Sequence, residues 1–164
     1  MGIEILTDRI YSFLGEITDP EIPVVSILDL GIVRDVILHG DKHVEVVITP
    51  TYSGCPAMDM ISMQIRMNLM SRGFDKVDIK QVLSPAWTTD WISEEGKRKM
   101  KAYGIAPPQR LAKNEMSLFE KDEVPCPRCD SNATTLISEF GSTSCKALFR
   151  CLNCKEPFEY FKCH

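Results

Sequence analysis

Two cysteine pairs, Cys126-Pro127-Arg128-Cys129 and Cys151-Leu152-Asn153-Cys154, constrain the fold of this chain more than any other feature. Two residues between thiols allow a tight turn that aims both sulfurs at one ion. Two such turns joined by a hairpin place four sulfurs in a tetrahedron, which suits Zn²⁺. The 21 residues between the pairs contain strand-like runs at 134–139 and 147–150, and Phe158, Tyr160 and Phe161 can cover a third strand. A module of about 40 residues does not ordinarily fold without a metal or disulfides. The spacing therefore predicts a ribbon held by Cys126, Cys129, Cys151 and Cys154. Its metal is read as structural zinc, and iron in a rubredoxin-like site would use the same ligands. Four protein ligands close the coordination sphere and leave no open position for catalysis. Cys145, six positions before Cys151, reads as a small buried side chain, and Cys163-His164 ends the chain with no assigned role.

The remainder of the 164 residues is long enough for one further domain. Charge is uneven: residues 1–90 carry 13 acidic and 7 basic side chains, and residues 91–164 carry 10 acidic and 12 basic. The whole chain has a net charge of −4, which argues against a nucleic-acid partner, although Arg128, Lys146, Arg150, Lys155 and Lys162 lie among aromatics. The start Met1-Gly2-Ile3-Glu4 lacks a basic segment and a long apolar run, so no secretory leader is expected. No stretch reaches the ~18 apolar residues of a membrane span. The seven cysteines are accordingly read in a reducing cytoplasm, where clustered thiols bind metal more often than they pair.

Along the front, Ile5, Leu6, Ile10, Phe13 and Leu14 recur at helical spacing over 3–15. Thr18-Asp19-Pro20-Glu21-Ile22-Pro23 stops that helix, because proline cannot continue it. Residues 32–38 and 44–49 read as strands around a Gly40-Asp41 turn, a hairpin signal. Residues 57–70 form a helix with two apolar stripes, one of them Met60, Met63, Met67 and Met70. A helix apolar most of the way round is expected to be buried or docked, and the methionine stripe to be core. Gly73 suits its C-terminus, and residues 76–80 alternate as a third strand. The order helix, hairpin, helix, strand describes a compact α/β domain. Beyond the loop from Trp87 to Trp91, Ser93-Glu94-Glu95 opens a short helix that Gly104 ends.

Cys55 is the one cysteine of the first 125 residues, in the loop Thr49-Pro50-Thr51-Tyr52-Ser53-Gly54-Cys55-Pro56. Pro56 fits a first helical position, which places Cys55 beside a helix start whose free N–H groups favour a thiolate. The alternative is an inert thiol in a strand–helix corner. His39 and His43 flank the Gly40-Asp41 turn, and nothing places them beside Cys55 as a base. Asp19 and Glu21 flank Pro20 as carboxylate ligands or as solvated acids of a helix stop. No Gly-rich phosphate loop, GxSxG, HExxH or paired-carboxylate helix motif is present.

Three motifs, Asp19-Pro20-Glu21-Ile22-Pro23, Asp29-Leu30-Gly31-Ile32-Val33 and Ser53-Gly54-Cys55-Pro56, resemble the signatures of the SufT-like iron–sulfur assembly domain, over about residues 3–85. Thr88-Thr89-Asp90-Trp91-Ile92-Ser93, Gly104-Ile105-Ala106-Pro107-Pro108 and the segment from Glu156 to His164 resemble the PaaD (PaaJ)-type accessory proteins of phenylacetyl-CoA epoxidase. The resemblance covers nearly the whole chain. It implies an α+β fold, with an assembly-type domain at 1–105, a linker at 106–122 and a zinc ribbon at 123–164. It also implies a role in aerobic phenylacetate catabolism in a bacterium, beside an oxygenase with a catalytic di-iron subunit and a reductase. Carried over residue by residue, Cys55 matches the reactive cysteine of the assembly domain, and Asp19 and Glu21 its acidic loop. The expectation is a maturation factor that holds iron or an iron–sulfur cluster transiently, with the iron–sulfur assembly machinery as a further partner. The alternative is a non-catalytic docking subunit of the oxygenase, and the methionine-rich helix also permits a homodimer.

Overall fold

The computed structural model describes residues 2–109 and 124–162. The chain divides into two compact units, residues 1–96 and 97–164. The first begins with α1 (Gly2–Leu14) and a hairpin of β1 (Val33–Leu38) and β2 (His43–Ile48). Helix α2 (Ala57–Met70) then crosses over to β3 (Lys76–Gln81). The sheet order is β1-β2-β3, antiparallel across the hairpin and parallel across the crossover. Strand β2 sits in the middle, and its burial alternates, with Val44, Val46 and Ile48 fully buried. That period of two is what a strand with one covered face shows. The expected boundaries of α1, β1, β2 and β3 hold to within one residue, and those of α2 hold outright.

Helix α2 buries Ala57, Met58, Ile61, Ile65 and Leu69, one face at spacings of three and four. Its second stripe departs from expectation: Met60, Met63, Met67 and Met70 are 47–64% exposed. The helix lies over one side of a three-stranded sheet, so only one of its two apolar stripes meets the core. The core reading of the methionine stripe is overturned.

The Asp29-Leu30-Gly31 segment is a structural corner. Trp87 Nε1 donates to the Leu30 carbonyl at 2.8 Å, and Ser93 Oγ donates to Asp29 Oδ1 at 3.0 Å. Gly31 has φ +69°, and a Cβ there would stand 2.7 Å from Trp91. Glycine is needed at Gly31 for both the left-handed backbone and the close approach. The Trp87–Trp91 loop expected from sequence closes through a 3-10 turn at Thr89–Trp91, with Arg34 stacked 3.6 Å over the Trp91 ring.

In the second unit, β4 (Ile105–Ala106), β5 (Thr134–Ser138), β6 (Lys146–Cys151) and β7 (Pro157–Phe161) form a sheet of order β4-β7-β6-β5. Ala106, where the sequence suggested a linker at 106–122, pairs with Tyr160. Most of that stretch, 110–122, and also Cys163 and His164, lie outside the described residues. The core here is small: Val124, Ala147, Phe149, Phe158 and Tyr160 around Cys126 and Cys151. Helix α3 (Glu94–Tyr103) leads from one unit into the other, and the Ser93 hydroxyl accepts the Gly96 N–H at its start. No helix among the described residues is long and apolar enough to cross a membrane.

Candidate metal centre and the Cys55 loop

The four ribbon cysteines meet at one point. The Sγ atoms of Cys126, Cys129, Cys151 and Cys154 all lie within 4.8 Å of one another. Cys126 and Cys154 are 3.7 Å apart, and Cys129 and Cys151 are 3.6 Å apart. Four sulfurs each about 2.3 Å from a central ion stand about 3.8 Å apart in a tetrahedron, so this set fits zinc in geometry and in chemistry. Cys126 and Cys151 are fully buried, whereas Cys129 is exposed.

The two turns repeat one design. The Cys126 N–H donates to the carbonyl of Ser131, and the Cys151 N–H to that of Glu156, each five residues on. The residue after each pair, Asp130 at φ 57° and Lys155 at φ 69°, is left-handed without being glycine. Such backbone strain persists where the surroundings over-determine it. Asn153 Nδ2 donates to Cys129 Sγ at 3.7 Å, and the Cys154 N–H to Cys151 Sγ at 3.4 Å. These donors set the sulfur electrostatics. The Ser131 and Asn153 donors lower the Cys129 thiol. Burial opposes ionisation of Cys151, but the Cys154 and Asn153 N–H groups outweigh it and hold that thiol at about 6. At Cys154 the Glu156 N–H acts downward, yet burial and three neighbouring thiols push it up to about 12. Four thiolates this close repel one another, and a divalent cation is what allows all four to ionise together.

Sequence reasoning missed a buried ion pair in the same unit. Lys146 is 3% exposed and its Nζ lies 3.0 Å from Glu159 Oε2, while Glu159 Oε1 accepts the Ser142 N–H. Burial acts to raise the Glu159 carboxyl, but Ser142 and the Lys146 ammonium outweigh it and hold it low. No sequence signal pointed to it, because Lys146 reads as a surface cation beside the strand-like run 147–150. Cys145 is buried, as expected, with its sulfur 3.1 Å from the Thr143 hydroxyl.

Cys55 lies one residue before the α2 cap. Pro56 takes the cap position with φ −68° and ψ −20°, and the Cys55 carbonyl accepts the Met58 N–H. The thiol is half-buried. Gly54 has φ +76° with open space where a side chain would stand, so glycine serves the backbone conformation there. Thr49, at the head of this loop, is 1% exposed, and its hydroxyl finds no partner among the described residues. His39 and His43 sit at the other end of β2. His43 Nε2 is 2.7 Å from Asp78 Oδ2, and His39 is 3.8 Å from Glu45. A strand of six residues, roughly 20 Å, separates that end from the Cys55 loop.

Asp19 is 7% exposed, and its Oδ1 accepts the N–H groups of Glu21 and Ile22 at 2.8 and 2.9 Å. It caps the turn that Pro20 and Pro23 begin. Glu21 is half-buried. Among the described residues, the ribbon cysteines are the one group of three or more such side chains placed to share an ion. The structure does not bring Cys55, Asp19 and Glu21 together in that way.

Comparison with known proteins follows the two-unit division. Residues 7–80 match the family described as iron-sulfur cluster assembly protein, and residues 111–162 match the PaaD zinc beta ribbon domain. The chain is 50% identical over 155 residues to the D component of the "Putative 1,2-phenylacetyl-CoA epoxidase" of Escherichia coli K12, covering 94% of this chain and 92% of that one. It is 39% identical over 89 residues to an Fe-S protein maturation auxiliary factor of Porphyromonas gingivalis, covering 54% of this chain and 84% of that one. A crystal structure of a domain of unknown function, DUF59, from Bacillus anthracis superposes with a TM-score of 0.55 at 25% identity. It covers 59% of this chain and 92% of the other.

Proposed function

The chain belongs to the family of PaaD components of phenylacetyl-CoA epoxidase, and from that premise we propose that it is an accessory maturation protein of the oxygenase. In this reading it helps to load iron, or an iron–sulfur centre, into the catalytic di-iron subunit or the reductase. Cys55 is the cargo-holding residue. The observation that carries the reading is its position: a half-buried thiol before α2, in a domain shared with a named Fe-S maturation factor. Among the described residues the loop offers one thiol with no neighbouring histidine base, which suits transient capture of a metal better than nucleophilic catalysis. Asp19 shapes the acidic turn, and Glu21 beside it is the second acidic residue of the motif that the resemblance assigns to cargo or partner contact.

The ribbon has a separate task. Cys126, Cys129, Cys151 and Cys154 would hold zinc, which supplies structural cross-linking and no chemistry. The chain's own residues around it, above all Asn153 and the backbone N–H groups, orient and partly neutralise the sulfurs.

The test is co-expression of the oxygenase components with wild-type protein or Cys55→Ala. Iron per catalytic subunit and epoxidation rate are measured, and a thermal melt monitors folding. The maturation reading expects iron-poor, inactive oxygenase beside a folded variant; unchanged iron and activity would sink it. The exposed methionine stripe of α2 favours a second reading, a docking subunit without cargo. That reading expects stoichiometric co-purification with the catalytic subunit and a silent Cys55→Ala.

A further inference from the structure

We propose that the exposed methionine face of α2 is a self-association surface, on which a second copy of this chain lays the same face antiparallel. The face lies wholly within the first unit. Met60, Met63, Met67 and Met70 are 47%, 54%, 64% and 54% exposed, while the opposite stripe of the same helix is buried. Single exposed apolar side chains are ordinary on a protein surface. Four on one helix face are contiguous, a patch of about 400 Å² at the size where a monomer's largest apolar patch is often functional. No charged residue interrupts it, and Asp59 and Arg66 are the only charges of the helix. In a chain with net charge −4, this neutral face is where two copies repel each other least.

The spacing selects the occupant. The methionines follow one another at intervals of three, four and three residues. They take the a and d positions of two successive heptads, the seam along which helices pair side by side. The order reads the same from either end, with its midpoint at Ile65. A two-fold axis through that midpoint sets Met63 of one copy against Met67 of the other, and Met60 against Met70. All four methionines then meet in both copies, as an isologous contact requires. Antiparallel helices also bring unlike dipole ends together, where a parallel pair would set like ends side by side. The unbranched thioether of methionine fills such a seam without strain and specifies it loosely. The two faces together bury about 800 Å², short of the roughly 1,200 Å² at which specific interfaces become stable. The first unit buries its own core without a partner. Association is therefore reversible and between folded monomers, with a dissociation constant on the order of 10–100 µM. The inference depends on neither Cys55 nor the oxygenase association.

The experiment is sedimentation velocity of the zinc-loaded full chain from about 5 to about 500 µM, a range that brackets the expected constant. A non-thiol reductant keeps cysteines from linking copies. Wild type is expected to pass from monomer to dimer across that range. Met63→Glu and Met67→Lys should each raise the dissociation constant at least about 10-fold, because each sets an unpaired charge in both halves of the seam. An equimolar mixture of the two should recover association to within about 3-fold of wild type, because the glutamate introduced at 63 then faces the lysine introduced at 67. A parallel pair would face 63 with 63 and show no recovery. Met63→Leu keeps the seam apolar and should associate as wild type does. Thermal melts and zinc content should match wild type in every variant, since the substituted side chains are half exposed. A wild type that stays monomeric at the highest concentration, a dimer that both charge variants leave intact, or no recovery in the mixture would overturn the proposal. So would a monomeric wild type whose Met63→Glu variant loses co-purification with the oxygenase, a result that assigns the face to that partner.

Discussion

Of the twelve largest fully buried side chains, eleven lie in residues 1–96 and one, Met100, in residues 97–164. The second unit instead has four sulfurs converging on one point. The first unit is thus held by apolar burial spread over many residues, and the second sets a small core around four cysteines placed to share one ion. The cysteines follow the same contrast. The quartet is embedded in a repeated frame of N–H donors, whereas Cys55 is a single half-buried thiol in the loop that leads into α2.

The largest expected effect tests the concentrated side. Cys126→Ser, or a strong chelator, should unfold the ribbon, a loss on the order of 10 kcal/mol of metal-linked folding energy. Amide NMR spectra should show residues 124–162 collapse while signals from 4–90 persist. Loss of both sets together would break the contrast, as would a ribbon that survives without metal.

Gly31→Ala probes the distributed side. The added methyl would meet Trp91 and force a left-handed alanine, so the first unit should lose about 3 kcal/mol in denaturant unfolding, with zinc content unchanged. A neutral result would mean that the Trp91 segment moves aside at little cost.

Glu159→Gln is expected to cost the second unit about 2 kcal/mol at pH 7, because it leaves the buried Lys146 ammonium with a neutral partner. The Glu159 carboxyl is held below its usual value, so its stabilisation is present above the unfolded carboxylate range. It is lost only as pH falls through the lowered value. The deficit of the variant should therefore stay constant from pH 7 to 5. A deficit that shrinks in that window would show the carboxyl titrating higher.

The smallest effect belongs to the acidic turn. Asp19→Ala removes the acceptor for two N–H groups and should cost the first unit about 1 kcal/mol, and Glu21→Ala, on the same turn, no more than that. If both variants spare folding but lower iron delivery, the turn takes part in cargo transfer.

Much of this was readable from residue order, for reasons that are local. The spacing of Cys126, Cys129, Cys151 and Cys154 determines which sulfurs can share an ion, because a two-residue turn has few conformations. The alternation in 44–48 and 76–80 determines strands for the same kind of reason, since side chains alternate across a pleat. Proline and glycine mark the ends of α1 and α3. What only tertiary structure decided depends on which surface meets which. The two apolar stripes of α2 look alike in sequence, and packing on one side of a three-stranded sheet buried one and exposed the methionines. Asp19 reads as ligand or cap with equal ease, until Glu21 and Ile22 turn their N–H groups onto it. Lys146 looks like a surface charge, and only the arrival of β7 brings Glu159 to it.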